Sequence, residues 1–266
     1  MKRQLPFELI YQIGALLAAV IVVHLIYITI IRPQADAILE QRAERTAAGE
    51  VYEPERSLYI VLKDFEQESC FILMFWAMAI MGYKGRNTWR ERGLFQADIV
   101  RISEGMSVLP EDTREYTRPI QALPESTQSC LLPRTLLSAL QRFASTRNVQ
   151  DVSEAVKSVC DSESDRLDSE LSMVRYIAWA IPSIGFIGTV RGISNALAQA
   201  HRAVEGDIAG VTESLGVAFN STLIALVISI VIMFLMHQLQ LIQERLVLDT
   251  HTYCDQRLLS HLQVRD

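Results

Sequence analysis

Two apolar runs, YIAWAIPSIGFIGTV at residues 176–190 and LGVAFNSTLIALVISIVIMFLM at residues 215–236, decide what kind of protein this chain is. A hydrocarbon core roughly 30 Å thick needs about 20 helical residues at about 1.5 Å each. The second run meets that length outright, and the first does so with neighbouring residues. Two further apolar blocks lie upstream: Ile10–Ile31, long enough alone, and the shorter Cys70–Tyr83. Of the 266 residues, 50% are hydrophobic and only 21% charged, too apolar for an ordinary soluble domain of this length. No strand pattern stands out. The sequence therefore predicts an all-α fold: a polytopic helical membrane protein, held in the lipid bilayer by four transmembrane helices with long cytoplasmic helical extensions.

The formal charge is −6, from 25 basic and 31 acidic residues without a long basic run, so no nucleic acid partner is expected. Cys70, Cys130, Cys160 and Cys254 show neither a CxxC pair nor a zinc-like His–Cys spacing. No metal site is expected, and they read as reduced thiols. Met1-Lys2-Arg3 ahead of Ile10–Ile31 imitates a signal sequence. The apolar stretch is too long for that, and Arg32-Pro33-Gln34 offers no small-x-small cleavage site, so it reads as a retained helix.

Basic residues favour the cytoplasmic flanks of membrane helices. Lys2 and Arg3 place the N-terminus inside, and Lys84, Arg86, Arg90 and Arg92 place the end of the second block inside too. Between the first two blocks the acids (Asp36, Glu40, Glu44, Glu50, Glu53, Glu55, Asp64, Glu66, Glu68) outnumber the bases, which suits an outside loop. The expected map is helix 1 within 1–31, an outside loop over 32–64, helix 2 over 65–83, a cytoplasmic helical segment over 84–174, helices 3 and 4 within 175–236, and a cytoplasmic helical tail over 237–266. Both termini are cytoplasmic in this scheme. Glu66 and Glu68 leave a second reading for helix 2, a buried helix that does not span.

Within 84–174, Pro110, Pro119, Pro124 and Pro133 predict a loop-rich stretch. Helices follow over Arg134–Ser145 and from Asn148, where Asn148 and Asp151-x-x-Glu154 supply capping chemistry. Ser164–Met173 runs without a breaker into the third membrane helix, as one long helix. Beyond the fourth, Leu235, Leu239, Ile242, Leu246 and Tyr253 continue near a 3.5-residue period. Such a stripe needs a partner, either the 84–174 helices of the same chain or another subunit.

Gly185, Gly188, Gly192 and Ala196 recur at helical spacing in the third membrane helix, and Ala218, Thr222, Ala225 and Ser229 share one face of the fourth. Small stripes let membrane helices approach closely, and Pro182 predicts a kink. Counted along the helices, Thr189 lies about 20 Å from the inner end of its span and Thr222 about 13 Å from the outer end of its own. Their depths therefore nearly coincide. Thr189, Thr222, Asn220, Ser221 and Ser229 form a polar belt able to line an ion path, between helices packed through Gly185, Gly188, Gly192, Ala218 and Ala225. A threonine alone is weak evidence, because it can bond a carbonyl of its own helix.

Neither of these helices carries Asp or Glu within the hydrocarbon span, yet a proton carrier needs a titratable group there. His24 of the first helix reads as a hydrogen-bonded packing residue. Arg191, at the outer mouth of the third, can snorkel to the interface. If the belt conducts protons, another polypeptide must bring the carboxylate.

IGFIGTVRGI at 184–193 resembles the (I/F)GLFGTVWGI segment of the MotA/TolQ/ExbB proton-channel family, and AFNSTLIAL at 218–226 is similar to its ALxATAxGL. The likeness covers Arg175–Gln238, with both motifs in the family's order. It implies a pentamer of this chain around the single transmembrane helices of two MotB/TolR/ExbD-like partners in a bacterial inner membrane. The partner's aspartate carries the ion, proton or sodium, and threonines on the last two helices face it. By motif these are Thr189 and Thr222. No cofactor is implied. The pattern departs at Arg191, where the family has tryptophan, and at Glu213, which lies a turn earlier than the family's glutamate. A register with Ala218 in place of Thr222 is also open; the continuous small-residue face favours Thr222. Four crossings resemble the MotA branch, whereas the GTVxGI wording is closer to TolQ and ExbB, which have three.

Two functions fit these residues. One is the channel-forming, stator-like subunit of a membrane motor driven by proton or sodium motive force. The other is a non-conducting oligomeric membrane scaffold held by the same small stripes, which leaves Asn220, Ser221 and Thr222 without a purpose. An enzyme is not expected. There is no nucleophile–base pair or metal cluster, and Gly185-x-x-Gly188-Thr189 lacks the lysine and strand–loop setting of a phosphate loop.

Overall fold

The computed structural model describes residues 4–47, 57–97, 99–100, 102, 106–206 and 208–264. Lys2, Arg3, Glu50, Glu53 and Glu55, which bear on the expected topology, lie outside them. Every regular element among the described residues is helical, and Val108 and Leu262 form an isolated bridge. Contacts divide the chain into two compact units, residues 1–82 with 173–236 and residues 83–172 with 237–266.

The first unit holds α1 (Gln4–Ile26), α2 (Arg32–Ala47), α3 (Leu58–Leu62) and most of α4 (Phe65–Arg92). It also holds α9 (Ser172–Ala198), α10 (Ala200–Val204) and the first half of α11 (Ala209–Arg257). Large apolar side chains of α1, among them Ile10, Leu17, Ile21 and Leu25, are exposed, as befits a surface whose solvent is lipid. A wide π turn, Tyr27–Ile31, joins α1 to α2. Pro33 follows it and has no N–H to offer the carbonyl of Thr29, a local reason for the altered hydrogen bonding. The outside loop expected from residue 32 is instead helical as far as Ala47. Ala, Leu, Glu, Gln and Arg dominate that stretch and sustain a helix despite its charge. Tyr11 donates to the carbonyl of Ala79 at 3.2 Å and the Trp76 indole to that of Gln12 at 3.0 Å, holding α1 on α4.

Among the described residues, three helical stretches are long and apolar enough to cross a membrane: Phe7–Arg42, Val149–Ala198 and Ala209–His261. The 28-residue α4 is not among them; Glu66 and Glu68 sit in its first turn. The long helix expected from Ser164 lies within the stretch Val149–Ala198, in which the single residue Leu171, its N–H 3.1 Å from the Asp168 carbonyl, divides α8 (Val149–Glu170) from α9.

The second unit adds α5 (Thr113–Gln121), α6 (Glu125–Gln128) and α7 (Leu131–Thr146). The stretch expected to be loop-rich is therefore largely helical. Pro133 lies in the first turn of α7, where a missing N–H costs nothing, although Pro119 falls inside α5. Glu91 accepts the Leu131 N–H at 2.9 Å at the start of α7, and Asn148 caps α8 by accepting the Gln150 N–H at 2.9 Å. Leu136, Leu140 and Phe143 of α7 and Val152, Val156 and Cys160 of α8 form a core with Cys254 of α11 and Leu258 just beyond it. Of the stripe expected in the tail, Tyr253 packs on that core beside Val247, and Leu239 and Leu246 are buried within the chain. Burial alone would raise the pKa of Glu163, but hydrogen bonds from Arg166 and Arg134 outweigh it and hold the carboxyl below its ordinary range.

A carboxyl depressed on folding stabilises at pH above its unfolded value, and that contribution disappears as pH falls through the folded one. Glu163→Gln should cost about 1–2 kcal/mol at pH 7, the two half-exposed arginines being partly rehydrated. Thermal unfolding of the detergent-solubilised chain followed by circular dichroism checks this; the deficit should vanish in acid, below the folded pKa of Glu163. Phe143→Ala should cost about 3–5 kcal/mol at either pH.

Candidate functional site

The site begins with the absence of side chains. A Cβ on Gly185 would lie 2.5 Å from the Ala225 Cβ, one on Gly188 2.5 Å from the Ser221 Cβ, and one on Gly192 2.7 Å from the Ala218 Cβ. No side chain fits at these contacts, so α9 and α11 pack backbone to backbone along the stripe the sequence marks out. At this separation the hydroxyls meet. Thr189 Oγ1 and Thr222 Oγ1 lie within hydrogen-bond reach of each other, and each also lies 3.1 Å from a carbonyl across the seam, that of Ala218 for Thr189 and that of Gly185 for Thr222; with one proton apiece the two hydroxyls make two of these three bonds at a time. Both threonines are half-buried.

Ser221 and Ser229 share the seam but are otherwise engaged. Ser221 donates to its own helix at Val217, 2.8 Å away, and receives the Gln67 amide at 3.4 Å. Ser229 donates to the carbonyl of Ala178 at 3.1 Å. Pro182 explains that bond. It sits inside α9 with no N–H for the carbonyl four residues back, which is that of Ala178, and the buried Ser229 supplies the missing donor. Asn220 does not join the seam. It is half-buried, and two residues on a helix turn it about 200° from Thr222.

Acids beside the seam come from the first turn of α4 and from Asp64 just before it. The Glu66 Cγ would lie 3.2 Å from a Cβ on Gly188, and its carboxylate accepts from Arg191 at 2.7 Å, with Asp64 3.7 Å from the same guanidinium. Arg191, anticipated as a snorkelling residue, is thus the partner of two acids. Glu68, 5% exposed, accepts from His24 Nδ1 at 2.5 Å and from Arg32 through its other oxygen. The hydrogen-bonded role anticipated for His24 has this specific partner. Sequence spacing could not have found these pairs, since 125 residues separate Glu66 from Arg191 and 44 separate His24 from Glu68. Gln67 was missed as well. It is fully buried, its amide N–H groups are shared between Ser221 and the Val61 carbonyl, and its Oε1 has no hydrogen-bond partner.

The arrangement offers hydroxyls, carbonyls and paired charges rather than a nucleophile. The thiols of Cys130 and Cys160 are each pushed up to about 11 by burial, which leaves them protonated at neutral pH. Among the described residues no group of three or more His, Cys, Asp or Glu could hold a metal ion.

Residues 129–251 match the model of the MotA/TolQ/ExbB proton channel family, a stretch running from just before α7 through most of α11 and therefore wider than the two motifs. That family is not one of enzymes. No curated protein and no solved structure matches the chain.

Ser229→Ala should cost about 1–2 kcal/mol by stranding the Ala178 carbonyl. Pro182→Ala restores an N–H at that carbonyl, so Ser229→Ala should cost markedly less in its presence. A double-mutant cycle on thermal stability in detergent measures the coupling; additive effects would refute the link.

Proposed function

We propose that this chain, whose residues 129–251 match the model of the MotA/TolQ/ExbB proton channel family, is the channel-forming subunit of a membrane motor driven by proton or sodium motive force. It assembles as a pentamer in a bacterial inner membrane around two single-helix MotB/TolR/ExbD-like partners. The observation that carries this reading is the Thr189–Thr222 hydroxyl pair, held half-buried between helices packed glycine to small residue. Oriented hydroxyls of this kind can pass hydrogen bonds to an ion carrier docking beside them, and neither helix supplies that carrier. Glu66 is committed to Arg191 and Glu68 to His24 and Arg32, so the nearest acids are neutralised within the chain. A partner aspartate fills the remaining role.

The four-crossing topology, with both termini cytoplasmic, belongs to the same proposal. Pairing lowers the cost of carrying Glu66 and Glu68 on a spanning α4, and Trp76 and Tyr11 tie that helix to α1. The scaffold reading draws on a different fact. Each seam hydroxyl already has a carbonyl acceptor, as a purely structural contact would require.

Ion flux separates the two. In vesicles reconstituted with the complex purified from its native membranes, Thr189→Val and Thr222→Val should each lower ion-driven flux at least about tenfold, or about 1.4 kcal/mol in barrier, while assembly size stays unchanged. Undiminished flux in both variants would remove the channel role from the seam.

A further inference from the structure

The basic run after the apolar part of α4 is divided by the fold. Lys84 is 5% exposed and bound to Glu170 at 2.8 Å, and Arg92 faces Asp249 at 3.4 Å. Glu91, the acid of the run, turns inward to the Leu131 N–H. Arg86, Trp89 and Arg90 remain, all exposed, at the i, i+3 and i+4 positions that share a helix face. Trp89 is 71% exposed. Toward the N-terminus the same helix exposes Phe75, Met78 and Gly82, so an apolar stripe passes directly into two cations flanking an indole. Trp89 lies six residues beyond Tyr83, about 9 Å further along the axis, which is headgroup depth for a helix that has just left the hydrocarbon.

We propose that Arg86, Trp89 and Arg90 form a docking surface for the headgroups of anionic phospholipids. A guanidinium binds a phosphodiester through paired, charge-assisted hydrogen bonds, and indole prefers the interfacial layer. Two cations with no acid on their own face of α4 favour a headgroup of net negative charge over a zwitterion, the neighbouring Asp249 being paired with Arg92. The surface rests on the reading that α4 crosses the membrane.

The test uses the full chain in mixed bilayers with Trp89 as the sole tryptophan, after Trp76→Phe and Trp179→Phe. Its fluorescence is quenched by brominated phosphatidylglycerol or brominated phosphatidylcholine. The quenching curves should show phosphatidylglycerol preferred about three- to tenfold at low salt, less at high salt, and equal to phosphatidylcholine in Arg86→Gln/Arg90→Gln. Equal quenching by both lipids in the parent, or a preference that survives the double substitution, would overturn the docking surface and leave the crossing intact. No quenching by either lipid would overturn both. Because Trp76→Phe removes the bond to Gln12, native mass spectrometry of the chain with its tryptophans intact provides a second reading. Phosphatidylglycerol should be retained by the parent and mostly lost from the exposed-arginine double variant; equal retention contradicts the proposal.

Discussion

The close approach of α9 to α11 is the constraint on which the rest of the membrane unit depends. Gly185, Gly188 and Gly192 present bare backbone to Ala225, Ser221 and Ala218, at separations where any side chain would collide. In lipid, apolar surface gives helices no reason to prefer one another over acyl chains, so close packing and cross-helix hydrogen bonds decide which faces meet. The seam supplies both. It brings the two threonine hydroxyls into direct contact, and it delivers Ser229 to the carbonyl that Pro182 leaves without a donor. The proline is tolerated because the opposite helix repairs it.

Charge is arranged with equal economy around that seam. The two acids at the start of α4 are matched by bases from distant parts of the chain, Glu66 by Arg191 and Glu68 by His24 and Arg32, while Asp64 shares Arg191 at 3.7 Å and keeps one buried oxygen without a hydrogen-bond partner. A paired carboxylate is a poor shuttle, since protonating it strands its cation in a low-dielectric setting. Among the described residues, α9 and α11 thus offer ordered hydroxyls while Glu66 and Glu68 are held in ion pairs. That division suits a subunit whose ion carrier arrives on another polypeptide, and it is the physical content of the proposed function.

Much of this was legible in sequence where the signal is local and periodic. The glycine stripe, the small-residue face of α11, the depth match of Thr189 with Thr222, the Asn148 cap and the apolar stripe of the tail all follow from spacing along one helix. What escaped depends on partners far apart in the chain or on competition between local preferences. The helix over Arg32–Ala47 was hidden because charge suggested a loop while propensity favoured a helix. Asn220 and Thr222 are neighbours in sequence, although a helix sends them to different faces. Only the position of Pro182 across the seam reveals the bond from Ser229 to Ala178.

The central claim is that this chain builds the seam and another protein brings the acid. Native mass spectrometry of the complex, purified in mild detergent from cells co-expressing the chain with its genomic neighbours, tests it most directly. The account predicts five copies of the chain with two copies of a protein bearing a single membrane helix and an aspartate within it. A discrete assembly of this chain that excludes every such protein, or a monomer or dimer that recruits none, would contradict it.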